Sequence, residues 1–188
     1  MTIETLISIF LGIGLSASVG FRVFVPLFVL SLAAYFNVWE LNESWEWVGS
    51  LTAVITLGVA TLVEIFAYYI PYIDNALDSI AIPLAAVAGT AVMVSTVADL
   101  SPAITWALAI IAGGGTAAAV AGSSGATRLA STATTGGIAN PVVSTIETGT
   151  SVVISILSIF VPIIAFVVVI IILYFVFKLY KKIKTSQP

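Results

Sequence analysis

The chain has 188 residues and a formal net charge of −3, and 60% of its residues are hydrophobic whereas only 8% are charged. Because soluble domains are about one quarter charged, this composition indicates an integral membrane protein, and the scarcity of Lys and Arg excludes nucleic-acid binding, which needs basic residues to neutralise phosphates. Cysteine and histidine are absent, which excludes disulfides, thiol catalysis and metal sites built on Cys or His, and we predict no cofactor and no metal.

The apolar runs are long enough to be membrane helices. A helix rises ~1.5 Å per residue, so about 20 apolar residues cross a hydrocarbon core of ~30 Å. Residues 51–70 and 152–177 are apolar around the whole helix circumference, unlike the alternating strands of a membrane β-barrel. We therefore predict an all-α polytopic membrane protein with about five transmembrane spans, in which residues 1–188 form a single integral membrane domain.

The first apolar stretch, residues 5–36, is too long to be one straight span. As a single helix it would measure about 48 Å. We therefore predict a broken or re-entrant helix near residues 12–26, where three glycines and a proline weaken the helix. This region contains GLSASVGFR, which ends in Arg22. Residues 1–10 contain no Lys or Arg, so we expect them to remain in the first membrane segment rather than act as a secretory signal.

The middle of the chain predicts three further spans. A loop rich in Trp and Glu, residues 37–47, suits the membrane surface, and two spans follow it at residues 48–70 and 76–97. A fourth span begins near residue 103 and leads into the Gly-rich residues 113–141, which contain GSSGATR. These small residues predict a second broken or re-entrant segment that packs closely against other helices.

The last apolar run, residues 149–177, leads into the basic part of the chain. Pro162 predicts a kink within the run. Four of the six basic residues follow it directly: Lys178, Lys181, Lys182 and Lys184. The positive-inside rule places this basic tail, residues 178–188, in the cytoplasm. Five spans then place the N-terminus outside.

The two glycine-rich segments share a short pattern. Superposing Arg22 on Arg128 also superposes Ser18 on Ser124, so both segments contain Ser-x-x-x-Arg. A duplicated unit is one interpretation, and its halves would be residues 5–70 and 103–177, linked by the span at residues 76–97. If three crossings separate the two copies, they have opposite orientation, as in transporters with inverted repeats.

Arginines inside a membrane need a partner or a cavity. A guanidinium at bilayer depth costs from ~3 to over ~10 kcal/mol, depending on the scale. Guanidinium groups and interrupted helix ends both favour an anion such as phosphate or carboxylate. Our candidate substrate-binding residues are Arg22, Arg128, Ser18 and Ser124. Two other interpretations stay open: an arginine reaches the headgroups, or it forms a structural pair with a buried carboxylate.

Four carboxylates are candidate coupling or counter-ion residues: Glu64, Glu147, Asp74 and Asp78. Glu64 lies inside the second predicted span with no basic neighbour in sequence, which favours a role in pairing or proton coupling. Asp74 is interpreted as the cap of the third helix, with Asp78 in its first turn. Ser144 and Glu147 match a capping box, which is an alternative role for Glu147.

These motifs together resemble a family of small bacterial inner-membrane proteins that is described only as a domain of unknown function. The resemblance is carried by GLSASVGFRVFVPL, EIFAYYIPYIDNALD, GSSGATR and NPVVSTIETGTS and covers nearly the whole chain. The family pattern matches this sequence at Gly20, Arg22, Pro26, Glu64, Pro71, Asp74, Asp78, Arg128, Asn140, Pro141, Ser144 and Glu147. The chain departs from the family at Tyr68 and Tyr69, where the family often has Asp-Lys. The resemblance implies a multi-pass protein of the bacterial inner membrane and supplies no activity.

The pattern favours a transporter over an enzyme. The predicted function is a small membrane transporter or lipid translocase that handles an anionic substrate at a midplane site formed by the broken helices. Two alternatives stay open: a membrane enzyme that acts on a lipid-linked substrate through Asp74, Asp78 and Glu147, and a non-catalytic scaffold or assembly subunit. The expected partners are membrane lipids and an anionic small molecule or lipid headgroup, and a homodimer would suit a chain this small.

Overall fold

The computed structural model describes residues 2–98 and 100–185. Within them the chain forms eight α-helices: α1 (Ile3–Val19), α2 (Phe24–Tyr35), α3 (Leu51–Ala67), α4 (Pro71–Thr96), α5 (Pro102–Leu108), α6 (Gly115–Thr135), α7 (Asn140–Phe160) and α8 (Pro162–Thr185). A 3₁₀-helix, Glu43–Gly49, precedes α3, and a π-helix, Ala109–Gly114, joins α5 to α6. The described residues contain no strand, so the predicted all-α class is confirmed. The end of the predicted basic tail, residues 186–188, lies outside the described residues.

Several helices are long and apolar enough to cross a membrane. Three qualify by length and composition: Tyr72–Thr96, the combined helix Pro102–Thr135, and Asn140–Phe160. A fourth candidate combines the 3₁₀-helix with α3, and the two parts are bent by 65°. α1, α2 and the apolar part of α8 are shorter. The structure therefore supports a multi-pass membrane protein with three to four candidate spans, and the predicted count of about five is not confirmed.

The first apolar stretch is broken between α1 and α2. The break at residues 20–23 lies inside the predicted window of residues 12–26. Glycine is needed at position 20 because α6 passes very close to it. A Cβ added to Gly20 would lie 2.6 Å from the carbonyl oxygen of Ala117, which is closer than such atoms approach. The small residue thus lets α6 pack directly against the end of α1.

α1 and α4 are antiparallel neighbours. Ser16 Oγ on α1 donates to the carbonyl oxygen of Gly89 at 2.9 Å. About two turns earlier on α1, Ser8 Oγ accepts from the N–H of Ala98 at 3.1 Å. Apolar side chains of both helices, together with those of α2, α6 and α7, form a buried cluster. α1 is therefore a central helix of the bundle rather than a lipid-facing one.

α4 is also antiparallel to α6 and to the π-helix before it. Near the end of α4, a Cβ added to Gly89 would lie 2.9 Å from the carbonyl oxygen of Gly113, in the π-helix before α6. Near the beginning of α4, Asp74 accepts a bond from Arg128, which lies later in α6. Since α4 is antiparallel to both, α1 and α6 run in the same direction. An inverted repeat that superposes Arg22 on Arg128 is not confirmed, because it requires the two segments to run in opposite directions.

The last apolar run reverses direction at its proline. Ser158 of α7 and Ala165 of α8 both lie beside Gly14 of α1: a Cβ added to Gly14 would overlap Ser158 Oγ and lie 3.2 Å from Ala165 Cβ. A continuous helix would separate those two residues by about 10 Å along its axis. α7 and α8 therefore form a hairpin, and the prediction of one span with a kink at Pro162 is wrong.

The Gly-rich residues 113–141 are mostly helical. α6 runs without a break through GSSGATR, so the prediction of a broken helix is wrong for Gly115–Thr135. The helix ends at Gly136 and Gly137, whose φ angles of 65° and 88° favour glycine. Arg128 consequently lies within a helix rather than at an interrupted helix end.

Candidate functional site

Arg22 lies in the break between α1 and α2 and is only 1% exposed. Its Nε donates to Thr148 Oγ1 at 3.0 Å, and its Nη2 donates to the carbonyl oxygen and the hydroxyl of Ser144 at 3.0 and 2.5 Å. Its Nη1 donates to the carbonyl oxygen of Phe21 at 3.1 Å and lies 3.3 Å from Glu147 Oε2. Arg22 therefore connects the turn after α1 to α7.

Arg128 lies on α6, is 2% exposed and is surrounded by carboxylates. Its Nε donates to the two oxygens of Glu147 at 3.2 and 3.1 Å, and its Nη2 donates to Glu147 Oε2. Its Nη1 donates to Asp74 Oδ1, and its Nε lies 3.8 Å from Asp78 Oδ1. These side-chain carboxylates from α4 and α7 contrast with the backbone carbonyls and hydroxyls that hold Arg22.

Because both arginines contact Glu147, they belong to one cluster. We call the following residues the two-arginine cluster: Arg22, Arg128, Glu147, Asp74 and Asp78. Two positive and three negative groups meet here, so the fully ionised cluster carries one surplus negative charge. Charges this deeply buried need such close partners, since an unpaired charge in a low-dielectric environment is very costly.

The two serines of the repeated Ser-x-x-x-Arg pattern have different surroundings. Ser124 Oγ donates to Glu147 Oε1, so Ser124 lies beside the two-arginine cluster. Ser18 instead faces α7, where its hydroxyl lies 2.8 Å from that of Ser151 and 2.7 Å from that of Ser155. Of the four predicted substrate-binding residues, the structure brings three together, and Ser18 contributes to helix packing instead.

Glu64, near the end of α3, caps the beginning of α2. Its Oε1 accepts from the N–H of Val23 at 2.8 Å, and its Oε2 accepts from the N–H of Phe24 at 2.9 Å. The unpaired N–H groups at a helix start favour an anion, and here the protein supplies one. The expectation that the interrupted helix end offers free N–H groups to a substrate is therefore wrong for α2.

Tyr68 is a residue of the site that sequence reasoning missed. Its ring centroid lies 3.9 Å from Cζ of Arg22 and 4.5 Å from Cζ of Arg128. The negative face of an aromatic ring attracts cations, so Tyr68 offsets part of the repulsion between the two guanidinium groups. Its position four residues after Glu64, one helical turn later, is the sequence signal that relates it to the site.

The carboxylates of the two-arginine cluster do not form a metal site. Asp74, Asp78 and Glu147 converge on the guanidinium of Arg128, whose positive charge occupies the position that a cation would need. Among residues 2–98 and 100–185, no group of three or more Asp and Glu side chains is arranged to hold a metal ion.

A cleft of about 340 Å³ opens beside the two-arginine cluster. Its walls come from the turn between α3 and α4 and the turn between α6 and α7. The polar and aromatic side chains that line it include Tyr68, Tyr69, Asp74, Thr132 and Asn140. Asp74 belongs to both the cleft and the cluster, so a small ligand in the cleft would contact the carboxylate that pairs with Arg128.

These features define the class of the protein: a polytopic all-α membrane protein with a buried arginine–carboxylate cluster beside a small cleft. The chain belongs to the family described as Domain of unknown function (DUF4126), whose profile matches residues 9–182. The resemblance to a family described only as a domain of unknown function is thereby confirmed. No curated protein and no solved structure matches the chain.

Proposed function

We propose that this protein is a small membrane transporter or lipid translocase whose substrate carries an anionic group. One observation carries the proposal: two arginines that are almost completely buried share Glu147, and the cluster they form borders an open cleft. Intramembrane arginines are rare because they are costly, and where they occur they usually mark a ligand or ion pathway.

The two arginines have different roles in this proposal. Arg22 bonds backbone carbonyl oxygens of Phe21 and Ser144, which do not move independently of the helices, so Arg22 positions Glu147. Arg128 is held by carboxylates, which are anions of the kind that the substrate would carry. A substrate carboxylate or phosphate takes the place of Asp74 on the guanidinium of Arg128, where bidentate bonds are strong.

The carboxylates of the cluster act as exchangeable counter-ions. When a substrate anion replaces Asp74 on Arg128, the Asp74 carboxylate loses its partner in a buried position. A proton or a second charged group must then compensate it, because an uncompensated buried charge is unstable. Asp78, whose side chain is 26% exposed, lies closer to solvent and provides a route for that proton. Binding of the anion is thus linked to uptake of positive charge.

The proposed orientation places the cleft on the cytoplasmic side of a bacterial inner membrane. Lys178 lies exposed near the end of α8, and the positive-inside rule favours the cytoplasm for this end. α8 runs in the same direction as α1, since Ala165 lies beside Gly14 and Leu173 packs in the apolar cluster near Phe21. The end of α1 that leads to Arg22 therefore faces the same side as the lysines.

Two other functions have less support from the geometry. A metal-dependent enzyme would need Asp74, Asp78 and Glu147 to share a cation, but these three carboxylates surround Arg128. A purely structural scaffold would explain the bonds of Arg22 to α7. It would not explain why Arg128 is held by carboxylates next to a cleft of about 340 Å³.

Transport by the purified full-length protein in liposomes tests the proposal. The probes are radiolabelled phosphate, acetate, glycine and phosphoethanolamine, with fluorescent phosphatidylglycerol for lipid flipping. We expect at least one probe to move faster than in protein-free liposomes, and Arg128→Gln to slow it by about tenfold or more, which corresponds to ~1.4 kcal/mol. Lys178→Gln removes the same charge outside the cluster and should leave the rate unchanged. An unchanged rate in folded Arg128→Gln protein, or movement of none of the probes, would contradict the proposal.

A further inference from the structure

The cleft beside Asp74 contains a buried hydrogen-bond acceptor without a partner. Among the described residues, Asn140 Oδ1 is buried and receives no hydrogen bond, whereas Nδ2 of the same side chain donates to Thr132 Oγ1 at 3.1 Å. Both residues line the cleft. A buried acceptor without a donor is unfavourable and rare in folded proteins. A ligand group that donates N–H or O–H bonds would satisfy it once the Asn140 amide turns this atom toward the cleft.

The other groups of the cleft suit a ligand group that is positively charged. Asp74 contributes a carboxylate, whose second oxygen can accept bonds in addition to the one from Arg128. Tyr69 contributes an aromatic ring, and the faces of such rings attract ammonium groups. The ring of Tyr68 already lies beside the guanidinium groups of Arg22 and Arg128. A protonated primary amine combines the positive charge with the N–H donors that Asn140 requires.

The Asp74–Arg128 ion pair determines the charge of the complete ligand. A lone anion that binds Arg128 leaves Asp74 unpaired, and a lone cation that binds Asp74 leaves Arg128 unpaired. Either result is strongly unfavourable because both side chains are about 3% exposed. A ligand with both charges inserts between the two side chains and gives each of them a new partner. The net charge of the site does not change.

We infer that the cleft binds a zwitterion that carries a primary ammonium and a carboxylate or phosphate. The ammonium lies against Asp74 and Asn140 Oδ1, and the anionic group binds Arg128. The inference rests on the proposed function and names the substrate class of the same site. Ligand pockets usually measure about 300–1,000 Å³, and the cleft of about 340 Å³ is at the lower end. The ligand is therefore the size of a small amino acid or a phospholipid headgroup.

Probe pairs that differ only in methylation of the nitrogen test the need for N–H donors. Glycine and phosphoethanolamine have these donors, whereas glycine betaine and phosphocholine carry the same charges without them. Acetate and ethylamine each supply a single charge. Isothermal titration calorimetry of the full-length protein in detergent measures the Kd of each probe. The Kd of glycine or phosphoethanolamine should be lower than that of its methylated partner by a factor of about ten or more, because only the unmethylated probe donates a charge-assisted hydrogen bond. Equal affinities within both pairs would overturn the inference.

The source of the zwitterion is distinguished with lipid nanodiscs. If the ligand is a lipid headgroup, nanodiscs of phosphatidylethanolamine raise the thermal midpoint of the protein above that in phosphatidylcholine and weaken the binding of free phosphoethanolamine. If the ligand is a free small molecule, glycine binds equally well in both kinds of nanodisc. Either result supports the shared chemistry, and binding that depends on neither ammonium donors nor the lipid amine overturns it.

A substitution of Asn140 tests the role of the unpaired acceptor. Asn140→Ala should weaken the binding of the primary ammonium probe about tenfold. The two members of each probe pair should then bind with equal affinity. Thr134→Ala is the matched control, since Thr134 lies exposed near the same end of α6 and should not change binding. If Asn140→Ala does not fold, the probe pairs on the unmodified protein still decide the question. Retention of full selectivity in folded Asn140→Ala protein would overturn the assignment of that acceptor.

Failure of this inference can be separated from failure of the proposed function. Acetate or inorganic phosphate that binds through Arg128, with no gain from an added ammonium, would leave an anion transporter and overturn the zwitterion. Binding of none of the probes would also overturn the inference. The liposome measurements with Arg128→Gln judge the proposed function separately, because they compare transport rates rather than affinities of probe pairs.

Discussion

Arg22 and Arg128 share one carboxylate oxygen, Oε2 of Glu147. The two arginines come from different elements, the turn after α1 and the middle of α6. Two guanidinium groups that contact the same oxygen atom repel each other. The arrangement therefore needs the anion of Glu147 between them and the ring of Tyr68 beside both. A single side chain of α7 thus connects the turn after α1 to α6.

The first prediction concerns the stability that Glu147 contributes. Glu147→Gln should lower the free energy of unfolding by about 3–5 kcal/mol, since both guanidinium groups lose their shared anion in a buried site. Unfolding in detergent, followed by tryptophan fluorescence, measures the change. Glu43→Gln removes the same charge at an exposed position and should unfold like the unmodified protein. Equal unfolding free energies for the two variants would contradict the central position of Glu147.

The second prediction concerns the cap that Glu64 provides for α2. A glutamine has one oxygen, so Glu64→Gln leaves one of the two N–H groups of Val23 and Phe24 without its acceptor. We expect a loss of about 1–2 kcal/mol in stability, as for other lost caps. Hydrogen exchange should become faster at these two amides before it does elsewhere in α2. Destabilisation without faster exchange at Val23 or Phe24 would argue against the cap.

The burial of both arginines and of several carboxylates beside partners is the feature that the sequence predicts well. Charged side chains are so few in this chain that Arg22, Arg128 and the carboxylates stand out, and the cost of burying them predicts that they meet partners. The sequence does not predict which carboxylate pairs with which arginine. Glu64 and Glu147 are both candidate partners of the arginines in the sequence, and only the fold directs Glu64 to the N–H groups of α2.

Directions of the helices could not be predicted because a break and a reversal have the same local signals. Pro162 ends a helix in either case. The reversal there depends on packing, since Ser158 and Ala165 both lie against Gly14. The contribution of Thr148 could not be predicted for a related reason. Thr148 bonds the carbonyl oxygen of Ser144 in its own helix, as membrane threonines commonly do, and nothing local indicates its bond from Arg22.

The third prediction concerns two neighbouring glycines with opposite surroundings. A Cβ on Gly113 would lie 2.7 Å from both the carbonyl oxygen of Gly89 and Cβ of Met93, whereas a Cβ on Gly115 would meet nothing within 4 Å. Gly113→Ala should therefore lower stability by about 1–3 kcal/mol through overpacking. Gly115→Ala should raise it by up to ~1 kcal/mol, because alanine favours helix. Equal effects in unfolding experiments would contradict the close approach of α4 to the π-helix.

The fourth prediction concerns the side of the membrane on which the cleft opens. The natural chain contains no cysteine, so a single introduced cysteine reports its own position. In bacterial cells, a membrane-impermeant maleimide should label the Glu43→Cys variant from outside. It should label Ile138→Cys, at a position 85% exposed beside the cleft, only after the cells are permeabilised. The reverse pattern would contradict the proposed orientation. Labelling of both positions from outside would contradict their location at opposite ends of the bundle.

The central claim is that the Asp74–Arg128 pair binds a ligand and is more than a structural connection. The double variant Arg128→Gln with Asp74→Asn tests it most directly, because it removes both charges of the pair together and leaves the net charge of the cluster unchanged, while Glu147 keeps Arg22 as its partner. The control is Lys178→Gln with Glu43→Gln, which makes the same charge changes at exposed positions. We predict that the double variant folds, as judged by its elution profile and thermal midpoint.

The deciding measurement is uptake, in liposomes, of the probe that the unmodified protein moves fastest. The account predicts that the Arg128→Gln and Asp74→Asn double variant transports this probe about tenfold more slowly or worse, while the control pair keeps the full rate. A folded double variant that transports the probe at the full rate would contradict the account, because the ion pair would then serve only to hold α4 and α6 together.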